Sequence, residues 1–267
     1  MQKLSVALAV YNEEKNLEKC LNAVVGCAAE IVIVDGGSTD ATLMIAEKYP
    51  VKIIRADNPP IFHLNKQKAL EACRGDWILQ LDADEVVSES LKQEIQQVIS
   101  NSPDIAGYNL PRKNYFLGHW LKKGGQYPDY VIRLFKNGKG RFPCQSVHEQ
   151  IIVDGEIAYL TNPLDHYSYY SIDEYWKKAS LYIKLTAQSF RKSKIKKNLS
   201  SVLSYFVFKP VGTFWLIFVR HKGFFDGVYG FLFALFSALH HPLAFWQYIY
   251  PSTSPALPDD TGFRTLP

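Results

Sequence analysis

Four short apolar runs, each followed by a stretch of helical periodicity, constrain this chain more than any other feature. The runs are Leu4–Val10, Glu30–Val34, Val51–Arg55 and Trp77–Leu81. They are short, nearly continuous and rich in β-branched residues, the pattern of strands covered on both faces. Between the first two, Leu17, Leu21 and Val24 recur at helical spacing behind a turn at Asn12-Glu13-Glu14. Further helices are predicted from Ala41 to Tyr49 and from Asn65 to Arg74, the second stopped by Gly75. Gly36-Gly37 permits a tight turn after the second run, and Ser38 to Asp40 supply caps for the helix that follows. Strand–helix alternation with short connections predicts an α/β chain with a doubly wound, Rossmann-like, mostly parallel sheet and helices on both faces.

The rhythm changes after a helix predicted over Leu91–Ile99. Tyr108–Arg112, Tyr130–Phe135 and Gln150–Val153 predict strands separated by turn-rich segments. Ile172–Arg191 then predicts an amphipathic helix with a basic tail. Val202–Val219 is apolar but interrupted by Lys209-Pro210, and Val228–Leu239 is an apolar run that His240-His241-Pro242 is expected to stop before Leu243–Tyr250. These runs fall short of the roughly 18–20 residues that cross a bilayer. Aromatics interleaved with apolar residues beside a basic stretch suit a membrane-associating segment lying in the interface. A hairpin packed on the core, or a span that carries His240 and His241 inside, are the alternatives.

The formal net charge of +4 matters less than its distribution. From Lys177 to Lys222 the charged positions are basic: Lys177, Lys178, Lys184, Arg191, Lys192, Lys194, Lys196, Lys197, Lys209, Arg220 and Lys222. Such a stretch faces an anionic membrane surface or nucleic acid. Few stacking aromatics accompany Arg191–Lys197 and no reader motif is present, so no nucleic acid is expected as a partner. The four cysteines, Cys20, Cys27, Cys73 and Cys144, lack metal-site spacing and read as small buried apolar residues. Met-Gln-Lys-Leu-Ser-Val runs straight into a strand pattern with no signal peptide, so a cytoplasmic-facing protein is expected.

Chemistry is expected where the strands end. Asp82-Ala83-Asp84 follows the fourth run directly, putting two carboxylates at the rim where open α/β sheets bind ligands. Oxygen donors of this kind suit Mg²⁺ or Mn²⁺. Tyr11-Asn12-Glu13 and Asp35 with Asp40 follow two other strands, and adjacent strand ends lie about 5 Å apart. Carboxylates gathered at one rim are costly unless a cation or a polyhydroxyl ligand joins them. A divalent metal with a nucleotide diphosphate meets both conditions. Asp40 reads mainly as a helix cap, Glu14 and Glu85 as solvated helix-start charges favoured by the macrodipole, and Asp76 as a surface residue.

Three ordered segments carry a resemblance: Leu4-Ser-Val-Ala-Leu-Ala-Val-Tyr-Asn-Glu-Glu14, Ile33-Val-Asp-Gly-Gly-Ser-Thr-Asp40 and Gly75-Asp-Trp-Ile-Leu-Gln-Leu-Asp-Ala-Asp-Glu85. Together they resemble the family 2 glycosyltransferases over about the first 100 residues. Val131-Ile-Arg-Leu-Phe135 followed by Val147-His-Glu149 is similar to the subgroup that extends lipopolysaccharide core or related surface glycans. The resemblance implies a GT-A fold, a nucleotide-sugar donor and inversion at the anomeric carbon. It divides the chain into a catalytic domain over 1–170, with a nucleotide-sugar half at 1–100 and an acceptor half at 101–170, and a helical, basic and apolar region over 171–267. Tyr11 and Glu13 would border the nucleotide and Asp35 the uracil or ribose. Lys66 and Gln67 stand where members usually carry Arg-Asn. Asp82 would face the ribose and diphosphate and Asp84 would ligate Mn²⁺ or Mg²⁺, whose role is to neutralise the departing diphosphate.

The second half departs from the family pattern, because no Glu-Asp pair follows Asp84 to supply the general base. Inversion needs a group that removes the acceptor hydroxyl proton as the bond forms. Glu149 is the first candidate and Asp129 the second. His148 either orients the diphosphate or is a core histidine, and His166 is a possible further metal ligand. Arg133 lies in a strand pattern, where it holds either a phosphate near the donor or a structural ion pair. The implied reaction moves a hexose, glucose first, from a UDP-sugar to a hydroxyl of a lipid-linked glycan on the inner-leaflet membrane surface. The competing enzyme reading is transfer to polyprenyl phosphate. A sugar nucleotidyltransferase would carry a Gly-rich basic loop where Tyr11-Asn-Glu-Glu14 stands. The non-enzyme alternative is a basic membrane- or nucleic-acid-binding protein.

Overall fold

The computed structural model of the chain describes residues 2–59, 61–101, 104–144 and 149–251. Two compact units divide it: residues up to Arg112 with Asp129–His166, and Lys113–Pro128 with everything from Tyr167 onward. The segment Lys113–Pro128, within the expected acceptor half, therefore clusters with the C-terminal helices.

In the first unit the four expected strands form as β1 (Leu4–Val10), β2 (Glu30–Asp35), β3 (Lys52–Arg55) and β4 (Trp77–Leu81). They pair in parallel in the order β3-β2-β1-β4. The chain thus builds outward on one side of β1 and returns to its other side, which makes the gap between β1 and β4 a topological switch point. Alternate residues serve opposite faces. Val6, Leu8, Ile33, Leu79 and Leu81 join one buried cluster, which includes residues of α1 (Leu17–Val24) and α4 (Glu89–Asn101). Ala7, Val32, Val34 and Ile78 join the other with Ala69 and Leu70 of α3 (His63–Glu71). Each fully buried Leu or Ile contributes about 1.5–3 kcal/mol, which fixes the register that carries the rim.

The helix expected over Ala41–Tyr49 is shorter, α2 (Thr42–Ala46). Gly75 lies beyond the end of α3, where β1 passes so close that an added Cβ would stand 2.7 Å from the Lys3 carbonyl oxygen. Beyond β4 the sheet continues through β5 (Glu85–Val87), β6 (Gly107–Phe116), β8 (Asp129–Lys136) and β12 (Leu164–Tyr169), in the order β4-β8-β6-β12-β5, with the short strands β7 (His119–Trp120) and β11 (Ile157–Tyr159) paired to β6. β8 is antiparallel to β4 and β6, and β5 is antiparallel to β12. The strand expected over Gln150–Val153 is a two-residue strand, β10 (Ile152–Val153), paired with β9 (Gly140–Arg141) outside the main sheet.

In the second unit, α5 (Ile172–Lys192) matches the expected amphipathic helix. Ser171 caps it by accepting from the Glu174 amide, with Asp173 and Glu174 in the first turn and Arg191 and Lys192 in the last. Two longer helices follow, Leu199–Arg220 of 22 residues and Gly223–Ile249 of 27. Both are long and apolar enough to cross a membrane, with mean hydropathies of 1.7 and 1.4, which corrects the expectation of shorter, interrupted runs. Lys209-Pro210 does not end the first, because Ser204–Phe208 is wound as a wider π turn just before the proline. Pro242 does not end the second. Its lost hydrogen bond and ring clash cost about 3 kcal/mol or more, opposed by burial of Ala244 and Phe245 and by bonds from the adjacent imidazoles. Those bonds join His240 Nε2 to the Tyr175 hydroxyl at 3.1 Å and His241 Nε2 to the Thr213 hydroxyl at 2.8 Å.

Candidate active site

The C-terminal ends of β1, β2 and β4 meet at one rim. Val10 lies opposite Asp35 and Leu8 opposite Leu81, so Tyr11, Gly36 and Asp82 each begin the loop beyond a strand. Asn65 on α3 approaches Gly36, while the next residue, Lys66, pairs with Asp82. The Cys20 thiol on α1 lies under this rim. Burial pushes its pKa well up, and the charges of Glu85, Asp84, Asp82 and Glu13 add to the rise, so four carboxylates surround one point.

The loops after β1 and β2 are stitched together. Asn12 adopts a left-handed φ of 56°, its Oδ1 accepts from the Thr39 amide at 2.8 Å, and its amide donates to the Ser38 hydroxyl at 3.0 Å. The Glu13 amide donates to the Thr42 hydroxyl, and the Glu14 amide to Asp40. The Glu14 carboxylate accepts from the Ala41 amide, so its charge serves α2 although the residue is exposed. Asp40 also accepts from the Thr42 amide and hydroxyl. Burial would raise its pKa, but these bonds outweigh it and hold the group below its ordinary value. Asp35 is buried and accepts from the amides of Gly37 and Ser38, closing the turn that Gly37, with φ 81°, makes possible. Tyr11 stands exposed beside this double loop.

The charges at the β4 end form a continuous chain of alternating sign. Asp129 accepts from the Arg112 guanidinium at 2.6 Å, across paired positions of β8 and β6. Arg112 lies 3.7 Å from Glu85, and Arg133 donates to Glu85 and to Asp82, both at 2.6 Å. Lys66 completes the chain on the other oxygen of Asp82. Three carboxylates and three cations cancel. This corrects part of the expectation that the rim's carboxylates wait for an external cation, since Asp82 is already neutralised from within by Lys66 and Arg133.

Glu85 is a second correction. It is fully buried rather than solvated, because it opens β5 opposite His166 of β12, four residues before α4 begins. Arg133 takes the ion-pair alternative, and it also donates to Gln80, a buried polar residue within the apolar β4. Burial would raise the Asp82 pKa, yet the charges of Arg133 and Lys66 hold it well below the usual carboxylate range. The same pairing drives the Arg133 pKa up against its desolvation, so it stays charged at any pH the fold survives.

Asp84, two residues on, lies with its carboxylate 3.6 Å from His166 Nε2. Both side chains are only 17 % exposed. Among the described residues no group of three or more His, Cys, Asp or Glu side chains could cage a metal. The Asp84 carboxylate nevertheless offers the oxygen donor that Mn²⁺ or Mg²⁺ prefers, and such an ion keeps several positions for phosphate oxygens and water. Asp82 fits that role less well, because both of its oxygens already meet cations.

The other expected residues fall elsewhere or are already engaged. Gln67 accepts from the Phe142 amide at 2.9 Å and donates to Glu71 at 2.9 Å. Glu149 lies near Cys144, whose pKa is raised by burial first and then by the charges of Glu149 and Glu71. His148 lies outside the described residues. Arg112, Gln80 and Glu85 were not expected at the site. The signal for the last two was a polar residue in or just after a fully apolar strand, which must find a partner once buried.

Comparisons with known proteins identify the family. The family model for Glycosyl transferase family 2 matches residues 5–167. The chain is 31% identical over 252 residues to the lipopolysaccharide core biosynthesis glycosyltransferase LpsC of Rhizobium meliloti (strain 1021), covering 89% of this chain and 88% of that protein. It is 27% identical over 194 residues to the uncharacterized glycosyltransferase RT0209 of Rickettsia typhi, covering 68% of this chain and 66% of that protein. Among solved structures, S. aureus TarS 1-349 is similar with a TM-score of 0.46 and 15% identity, covering 94% of this chain and 92% of that one.

Proposed function

This chain belongs to glycosyl transferase family 2 and is a glycosyltransferase, and from that premise we propose that it moves a hexose, glucose first, from a UDP-sugar to a hydroxyl of a lipid-linked glycan such as lipopolysaccharide core. The observation that carries this reading is Asp84 beside His166 at the switch-point rim, next to an Asp82 already neutralised by Lys66 and Arg133. The role of LpsC in lipopolysaccharide core biosynthesis supports the acceptor class.

In this reading Tyr11, Glu13 and Asp35 border the nucleoside, and Lys66 and Gln67 lie toward the diphosphate. Asp84 and His166 would hold Mn²⁺ or Mg²⁺, which would supply positive charge for the departing diphosphate. Arg133 acts through Asp82 by fixing its carboxylate. Inversion requires the acceptor oxygen to bond to the anomeric carbon on the face opposite the leaving diphosphate. The hydroxyl proton passes to a carboxylate, Glu149 in the first instance and Asp129 in the second, with His148 assisting. Asp129 would have to act while bound to Arg112, which favours Glu149.

The test is UDP release from UDP-glucose with Mn²⁺ or Mg²⁺ and a lipopolysaccharide-core acceptor, comparing wild type with Asp84→Ala. The variant should lose on the order of 10³-fold in turnover, several kcal/mol of charge stabilisation. Equal turnover in the two proteins sinks the metal assignment. Glu149→Gln should lower transfer about 10²–10⁴-fold with UDP affinity unchanged, whereas retained transfer moves the base to Asp129.

A further inference from the structure

The outer helix of the second unit, Leu199–Arg220, is held at both ends by that unit. Near its start, the Tyr248 hydroxyl donates to the Ile195 carbonyl at 2.6 Å, and Arg191 donates to the Gln247 carbonyl at 3.0 Å. Tyr205 packs on Phe190 of α5, with ring centroids 4.8 Å apart. At its far end, the Gly124 amide donates to the His221 carbonyl at 2.9 Å. The amides of Lys122 and Lys123 donate to the buried Asp226 at 3.0 and 2.8 Å. Gly230 presses on the turn so closely that no side chain fits between it and the Gly223 carbonyl. A helix of 22 residues is about 33 Å long, enough to cross a bilayer. Carrying this one across would break one set of these bonds, or drag α5 or the 122–124 segment with it.

Between those anchors the helix presents an apolar edge. Leu199, Leu203, Val207, Val211, Trp215 and Val219, every fourth residue, are between 43% and 72% exposed. Wider π turns at Ser204–Phe208 and Trp215–Arg220 reduce the drift that a four-residue spacing has in an ideal α-helix. Trp246 and Tyr250 are exposed toward the end of the last helix. Basic residues flank the edge: Lys194, Lys196 and Lys197 before it, Arg220 and Lys222 after it, all exposed. The chain holds no Asp or Glu between Tyr175 and Phe225. Apolar surface bordered by one sign of charge complements an anionic lipid interface.

We propose that the Leu199–Arg220 edge docks sideways on an anionic lipid surface, with its apolar stripe among the acyl chains, its lysines and arginines on the headgroups, and no segment crossing. The inference stands on the second unit alone and does not depend on which sugar or acceptor the first unit uses.

Flotation of the full chain with phosphatidylcholine vesicles, with and without phosphatidylglycerol, tests it. Wild type should float with the anionic vesicles and be released by alkaline carbonate. The triple variant Val207→Ser/Val211→Ser/Trp215→Ser should bind at least about tenfold more weakly. Lys194→Gln/Lys196→Gln/Lys197→Gln should weaken binding on the order of 10–100-fold. Both variants should keep the wild-type circular dichroism and, without vesicles, the wild-type rate of UDP release, which separates this test from that of the transfer reaction. Failure to float, or equal flotation of the apolar variant, overturns the proposal. Resistance to carbonate assigns the helices to a span instead. A lipid-free dimer that the apolar variant abolishes gives the edge to a second copy of the chain.

Discussion

The rim of the first unit and the outer helix of the second manage unfavourable surface in opposite ways. At the rim, charged groups that would be costly to bury are enclosed with partners of opposite sign: Asp129, Arg112, Glu85, Arg133, Asp82 and Lys66 run in sequence. On the outer helix, apolar groups that would be favourable to bury are left outside, with only 6% of its most apolar window buried. The first region is complete as folded and offers a pre-set arrangement to a ligand. The second is incomplete as folded and points to a surface outside the chain. Buried pairs serve geometry more than net stability, so the rim is organised for positioning, whereas the helix is organised for adhesion.

The strongest way to break that contrast is Arg133→Met. The substitution leaves Glu85 buried with only the more distant Arg112 near it, and leaves Asp82 with Lys66 alone. Removing one partner of a buried ion pair costs about 3–5 kcal/mol, measurable by urea unfolding. Adding Glu85→Leu should recover part of the loss, because the orphaned carboxylate is then gone. A cost below about 1 kcal/mol would mean that the network behaves as exposed ion pairs do, and the contrast between the two regions would fail.

A smaller effect should appear in acid. The Asp82 carboxyl is held well below its ordinary value in the folded chain by Arg133 and Lys66, against the opposing pull of burial. In the unfolded chain it titrates near 3.9, about the value of a free Asp. Its stabilisation is therefore complete above that pH and is lost only as pH falls through the lower folded value. Asp82→Asn should cost about 1–3 kcal/mol at neutral pH, and the gap to wild type should stay flat down to about pH 4 before closing. A gap that fails to close as pH falls below about 3 would show that the carboxyl is not depressed.

The same contrast explains how much was legible in the sequence. β1, β2 and β4 could be read directly because they are buried on both faces, and a buried strand writes its pattern in a few consecutive residues, whereas β3 is a half-exposed edge strand. Asp82 and Asp35 could be placed because each directly follows or ends such a buried strand, and Asp84 because it lies only three residues beyond Leu81. Arg112 with Asp129 could not, since the pairing depends on the register of β6 against β8, set by contacts far apart in the chain. Glu85 was misassigned for the same reason: its burial comes from β12, about 80 residues on. The long helices were hidden by Lys209-Pro210 and His240-His241-Pro242, where local preference argues for a break. A π turn ahead of Pro210 and the partners of both histidines let packing prevail.

The smallest expected effect is the one that most sharpens the comparison. Val211 is 63% exposed on the outer helix, so in water Val211→Ser removes no buried contact. Serine and valine also differ little in helix propensity. The change in unfolding free energy should stay within about 0.5 kcal/mol, the ordinary range for surface substitutions. An equal-sized change at a rim residue such as Arg133 is expected to cost several times more. If Val211→Ser instead destabilises the free chain by about 2 kcal/mol, the range for a buried apolar side chain, then the side chain is part of a core. The outer helix would then be covered by its own protein, and the opposition between a completed rim and an uncovered helix would have no physical basis.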